Sequence, residues 1–522
     1  MGCAPDRQLV ATMARTEVGL RLRCSFDRDT EEQARILGTF AVRQRVSRLR
    51  GYSDSLPTAC LACMPISDRL VRMLLTLFTQ FASAAPSLSS MKLHLLPVVA
   101  FACLLSASVS GMSPTPVPSP KTDAVWIGGE DGIKVYTIPG LLVTRSGVII
   151  AYAEARESRG DGDKVDVVIK RSLDGGKTWS KNFFIEQAHG IENYVLATLV
   201  QDRVTGRVFF FTALRDEGLA DRTTANHYRY SDDDGSSWSE PHDITDLLHA
   251  ADEKLQAGLR AHRAPKAFAG DDPDLYGRKL VFFGPGRSIQ LSAQHPRFPN
   301  RLVIPLFYIK DRIILPRARR GYGDAVLVSD DSGKTWSVPG IVPLGEHGSS
   351  ELSIVELADG RLMINARSAP PESSGMSVAG RTVAYSAHGG ATWTRPAPDR
   401  SGIPDYIETS SGLLRLSFPL TDPDGKSRIL FSFPNSRPLT DPAQSRVLGR
   451  ARANGTILLS YDEGQSWPVK KLLVPESFGY SNMDVLPDNT VVVIYENATG
   501  TLVNATRFRL EWLTDGRDRI GE

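Results

Sequence analysis

One eight-residue pattern, Ser-x-Asp-x-Gly-x-Thr-Trp, recurs five times and limits what this chain can fold into more than any other feature. It reads Ser172, Asp174, Gly176, Thr178, Trp179, and then Ser231, Asp233, Gly235, Ser237, Trp238. The third copy is Ser329, Asp331, Gly333, Thr335, Trp336, and the last is Ser460, Asp462, Gly464, Ser466, Trp467. The fourth keeps Ser386, Gly390, Thr392 and Trp393 but has His388 in the aspartate position. Asp and Ser side chains fold back onto nearby amides, Gly supplies positive φ, and Trp packs beneath the turn. Each copy therefore predicts a staple that ends one strand and starts the next. Five staples about one small sheet apart predict radial repetition, an all-β propeller. The staple itself carries no chemistry.

A chain of 522 residues exceeds what one compact core holds, unless a repetitive β architecture spreads it over several sheets. Net charge is +2 with the signs mixed, so no global field favours nucleic acid or a membrane surface. All five cysteines (Cys3, Cys24, Cys60, Cys63, Cys103) precede residue 112. Cys60 and Cys63 lack a second pair to complete a zinc site, and neither a metal nor a cofactor is expected. From Met91 the sequence MKLHLLPVVAFACLLSASVSGM has a basic start, an apolar run and then small residues, the layout of a secretory signal peptide over 91–111. That layout favours translation from Met91 and leaves 1–90 as a doubtful, unstructured extension; a genuine Arg-rich leader is the alternative. A Pro/Ser/Thr linker over 112–123 and a propeller over 124–515 complete the expected organisation. The expected product is a secreted or periplasmic monomer without a disulfide or a membrane span in its mature form.

Within the propeller, runs such as 140–153, 302–308 and 490–496 are rich in Val, Ile, Leu, Phe and Tyr and bounded by turn residues, which predicts strands. The main helix-like stretch is 246–262.

The five repeats resemble the Asp-box repeat of sialidases, and further segments resemble the active-site motifs of bacterial-type exo-α-sialidases. Glu351 and Arg367 lie sixteen positions apart in SSELSIVELADGRLMINARS. Tyr480 and Glu496 are also sixteen apart, in GYSNMDVLPDNTVVVIYE, and Arg452 stands eight residues ahead of Ser460. Arg156, in AEAR, precedes a loop that holds Asp161 and Asp163. FGPGRSIQL at 283–291 also resembles a family segment, whereas NYVLATLVQD departs from its counterpart. The resemblance implies six blades and hydrolysis of terminal sialic acids from glycoconjugates with retention. It implies Tyr480 as nucleophile, Glu351 as its base and Asp161 as general acid, with Asp163 as the other candidate. Arg367, Arg452, Arg156 and Glu496 would line the substrate site. Each also has a plainer reading, the arginines as strand-surface charges and the others as ordinary loop residues.

The chemistry suits those residue types. A sialic acid carries a carboxylate on its anomeric carbon, and arginine binds a carboxylate through two parallel charge-assisted bonds. A carboxylate nucleophile would be repelled by that group, whereas a neutral tyrosine is not. One position departs from the family: Val135-Tyr136-Thr137-Ile138-Pro139 has Thr137 where the family's motif has the first arginine of a carboxylate-binding triad. Arg156 or Lys134 are the candidate substitutes, with Glu496 as the carboxylate awaiting a partner. The alternatives are a glycosidase for a related 2-keto-3-deoxy sugar acid or uronate, and a weakly active or non-catalytic propeller that binds acidic sugars.

Overall fold

The computed structural model describes residues 117–160, 164–190, 192–216, 224–248, 278–310, 322–343, 349–368, 380–403, 409–436 and 452–520, together with the short strands Met13–Thr16 and Gly19–Leu22. The chain divides into two compact units, Met1–Pro114 and Thr115–Glu522. In the first, the two short strands pair antiparallel. The expected signal peptide and nearly all of the expected extension lie outside the described residues.

The second unit is an all-β, propeller-like arrangement of antiparallel sheets. Four sheets have four strands each and one has eight, where six separate blades were expected. The eight-stranded sheet runs from Val135–Val143 to His242–Asp243, and its halves join where Val165 pairs in parallel with Asn193. The last sheet is made of Ser481–Val485, Val491–Glu496, Leu502–Phe508 and, from the other end of the unit, Lys121–Ile127. This pairing, with Lys121 opposite Arg507, closes the ring and corrects the expected linker boundary, because Lys121–Asp123 already belong to a sheet. At the C-terminal side, residues beyond 515 are also built in: Asp518 accepts hydrogen bonds from Arg428 Nε and Nη2 and from Tyr461. Of the helix-like stretch, residues 245–248 are helical and the rest lies outside the described residues.

The apolar core is distributed between neighbouring sheets. Val125, Val492 and Val503 of the last sheet pack with Tyr136 and Ile149 of the first strands, and Leu430 and Ile457 pack with Met483 and Val493. Burying a Val or Leu side chain contributes roughly 1.5–3 kcal/mol, so each sheet depends on its neighbour for stability.

The staples form as expected. In the first, the Ser172 hydroxyl donates to Asp174 Oδ1 at 2.8 Å and accepts from Gly176 N at 2.8 Å. Asp174 also accepts from Thr178 N and the Thr178 hydroxyl, and these bonds hold its carboxyl far below the usual carboxylate range. Gly333 shows why glycine is required: φ is +80°, and a Cβ would stand 2.1 Å from the Phe209 ring. In the fourth staple the His388 ring bonds the Thr392 hydroxyl at 2.5 Å in place of the aspartate's several contacts, while Ser386 still accepts from Gly390 N. Four staples follow the third strand of their group, and the staple at Ser329 follows Tyr322–Ser329, where Arg278–Phe283 and Ile289–Gln290 both pair antiparallel with Leu302–Lys310, so all five stand at the same end of their sheets.

Asp324, in the strand Tyr322–Ser329, is fully buried, and neither oxygen has a hydrogen-bond partner among the described residues. Burial pushes its carboxyl from 3.8 up to about 7, and the nearby Ser349 hydroxyl offsets this only in part. The folded state thus favours the protonated acid, and stability is lost as pH rises through about 7. The difference from the unfolded value corresponds to about 4 kcal/mol at most. Asp324→Asn should raise the melting temperature at pH 8 and change it little at pH 4; an equal effect at both would show that the carboxyl is not the cause.

Candidate active site

The residues singled out by spacing gather at the end of the sheets opposite the staples. An antiparallel pair brings together positions whose numbers have a constant sum, and Ser481 pairs with Tyr495, so Tyr480 and Glu496 face each other. Glu496 N donates to the Tyr480 carbonyl at 3.1 Å. Glu351 and Arg367 occupy the equivalent place in the sheet that begins at Ser350, with Ser350 opposite Arg367. Arg452 immediately precedes the third strand Ala453–Ser460, which starts at the same end.

Two first strands and the strand Glu192–Gln201 are interrupted here by register shifts, and each carries a non-glycine residue at positive φ: Ile138 at 51°, Leu196 at 56° and Glu351 at 48°. A non-glycine residue in this region costs about 1–3 kcal/mol. The left-handed turn directs backbone donors at buried carboxylates: Ile138 N bonds Glu496 Oε2 at 2.7 Å, and Leu196 N bonds Glu154 Oε1 at 2.8 Å.

The centre of the site is Tyr480, 7% exposed. Its hydroxyl lies 2.7 and 2.8 Å from the two oxygens of Glu351. Arg367 Nη1 donates to Glu351 Oε2 at 2.8 Å and to the Tyr480 hydroxyl at 3.2 Å. The Arg452 guanidinium stands 5.0 Å over the Tyr480 ring. Burial, and then the Glu351 charge, push the phenol well above its ordinary value, with Arg367 and Arg452 pulling the other way. Tyr480 is therefore neutral at rest, with a carboxylate in position to take its proton. Burial works against the charge on Arg367, but Glu351 and Tyr480 outweigh it and hold the guanidinium more firmly protonated than usual.

Glu496 has no exposed side-chain surface and accepts from Arg452 Nη1 at 3.2 Å and Arg159 Nη2 at 3.1 Å, both on Oε1. The second cation on Glu496 is thus Arg159, which no motif had singled out. The two expected substitutes are engaged elsewhere: Arg156 Nε and Nη2 bond Glu154 Oε2, and Lys134 bonds Glu157 at the surface. Arg159 lies three residues past Arg156, and its only trace in the sequence is a second arginine in the loop that leads to Asp161. Thr137 is buried, opposite Glu154, and its hydroxyl has no partner among the described residues. Asp161 and Asp163 lie outside the described residues.

The family model described as "BNR repeat-like domain" matches residues 147–493, and the chain belongs to this family. It is 29% identical over 436 residues to a sialidase of Micromonospora viridifaciens, covering 78% of this chain and 58% of that protein. It is 26% identical over 397 residues to a sialidase of Bacteroides fragilis, covering 71% and 61%. The chain thus spans about three-fifths of the length of these relatives. Among solved structures, the fold is similar to the Hadza microbial sialidase Hz136, with a TM-score of 0.58, 23% identity and coverage of 75% and 69%. It is also similar to a leech intramolecular trans-sialidase, with a TM-score of 0.56, 18% identity and coverage of 76% and 71%.

Glu496→Gln should destabilise the domain by about 1–3 kcal/mol, because the amide leaves two guanidiniums without their counter-charge. Denaturant unfolding checks this, and an unchanged midpoint would mean that Glu496 does not neutralise them.

Proposed function

We propose that this protein is a secreted exo-α-sialidase that removes terminal sialic acids from glycoconjugates with retention of configuration. The observation that carries the reading is the Tyr480 hydroxyl within hydrogen-bond distance of both oxygens of Glu351, with Arg367 bonded to each residue. A propeller that only binds acidic sugars has no use for a phenol joined to a base. Secretion rests on the signal-like segment at 91–111. Six blades follow if the eight-stranded sheet counts as two, since one parallel bridge joins its halves.

In the first half-reaction the Tyr480 oxygen attacks the anomeric carbon as its proton passes to Glu351. The bond to the leaving oxygen breaks, and Asp161 protonates that oxygen. Because the phenol is held above its ordinary value, proton removal accompanies attack instead of preceding it. In the second half, water attacks the same carbon, its proton goes to Asp161, and the Tyr480 oxygen departs and recovers its proton from Glu351. Two inversions give net retention. Arg367 and Arg452 meet the substrate carboxylate. A related 2-keto-3-deoxy sugar acid is a second reading, favoured by threonine at position 137.

Tyr480→Phe should abolish release of the aryl group from an aryl α-sialoside while melting temperature and ligand binding stay near those of the parent. Retained turnover would exclude Tyr480 as the nucleophile. Asp161→Asn should slow natural glycosides by about 10²–10⁴-fold, and activated aryl sialosides, whose leaving groups need little protonation, far less. Equal losses on both would point to Asp163 or to no acid in this loop.

A further inference from the structure

Three guanidiniums, Arg159, Arg367 and Arg452, converge on this site among the described residues, against two carboxylates, Glu351 and Glu496. Arg159 and Arg452 share one oxygen of Glu496. Guanidiniums gathered in one partly buried place present donors suited to an anion such as a carboxylate.

Arg159 has the means to bind one. Its printed bonds are Nη2 to Glu496 at 3.1 Å and Nη1 to the Asn497 carbonyl at 3.4 Å. A guanidinium has five N–H donors, so three remain without a partner among the described residues, on a side chain 35% exposed. The space it occupies is shaped by small residues. A Cβ on Gly500, where φ is +71°, would stand 3.0 Å from the Thr137 methyl and 3.3 Å from Arg159 Nη1. A long side chain at 137 would compete for the place that Arg159 reaches from beyond the strand Ile149–Arg156.

We propose that Arg159 supplies the third guanidinium that grips the substrate carboxylate, arriving from the loop after the second strand and standing over Thr137. This deepens the sialidase reading and rests on it. Arg159 touches the substrate, so it determines specificity for an acid over its neutral derivative. Threonine at 137 is then the complement of Arg159, small enough to leave the guanidinium room. The assignment predicts that an arginine at 137 is harmful while Arg159 is present and useful once it is gone.

The test uses the full chain with the 2,3-didehydro analogue of sialic acid and its methyl ester, followed by titration calorimetry, alongside hydrolysis of an aryl sialoside. The parent should bind the acid more tightly than the ester. Arg159→Met should weaken binding of the acid about tenfold to a hundredfold and leave the ester unchanged. Arg159→Lys, which keeps the charge and protects the fold, should lose most of the same preference, because an ammonium cannot make two parallel bonds. Thr137→Arg should weaken binding of the acid in the parent and restore it in the Arg159→Met background. If Arg159→Met leaves the acid unaffected, or weakens acid and ester alike, Arg159 is only a counter-charge for Glu496 and the inference is overturned, while hydrolysis by the parent keeps the sialidase reading. If the parent neither cleaves the sialoside nor distinguishes acid from ester, the sialidase reading fails and this inference fails with it.

Discussion

A carboxylate with no access to water has to be neutralised where it stands, and the site is arranged around meeting that need at Glu496. The strand end fixes its position opposite Tyr480, and its two oxygens then dictate what surrounds it. One draws the Ile138 amide inward and holds that residue at positive φ. The other holds Arg159 and Arg452, and Arg452 is thereby kept over the Tyr480 ring. The Tyr480 hydroxyl faces Glu351, itself on a register shift, and Arg367 ties the two together. Remove the buried charge and the reasons for most of these positions disappear.

The two ends of the sheets divide the work. At one end the staples hold strand to strand through side-chain oxygens folded onto backbone amides, and the aspartates are stabilised as anions by local bonds alone. At the other end register shifts and positive φ angles place backbone and side-chain groups where a regular ladder would not. Tightly bonded turns at the far end allow interrupted strands at the site, since strain of a few kcal/mol is tolerable only where the surroundings fix the backbone.

Much of this was legible in the sequence. The staples were, because their bonds are local, within four residues. So was the pairing of Tyr480 with Glu496 and Glu351 with Arg367, because a hairpin converts a fixed spacing into a fixed neighbour. What spacing cannot reveal is a group that reaches its place through a returning loop. Thr137 left Glu496 without an arginine from its own strand, but Arg159, which bonds Glu496, is twenty-two positions away in the loop after another strand. The boundary at Lys121 was hidden for a similar reason: its partner Arg507 lies at the other end of the domain, and a Pro-rich approach hides the start of a strand.

That last pairing bears on how the domain comes to exist during synthesis. The strand Lys121–Ile127 leaves the ribosome first among the described strands of the second unit and has its sheet partner only when Leu502–Phe508 follows it. Closing so long a loop is slow, and edges left open meanwhile are prone to pair wrongly. The waiting sheet is also the one that carries Tyr480 and Glu496. A nascent chain stopped short of Leu502 would hold Glu351, Arg367 and Arg452 on earlier sheets and still lack the closed sheet that seats Tyr480 and Glu496, so the site is complete only when the ring is.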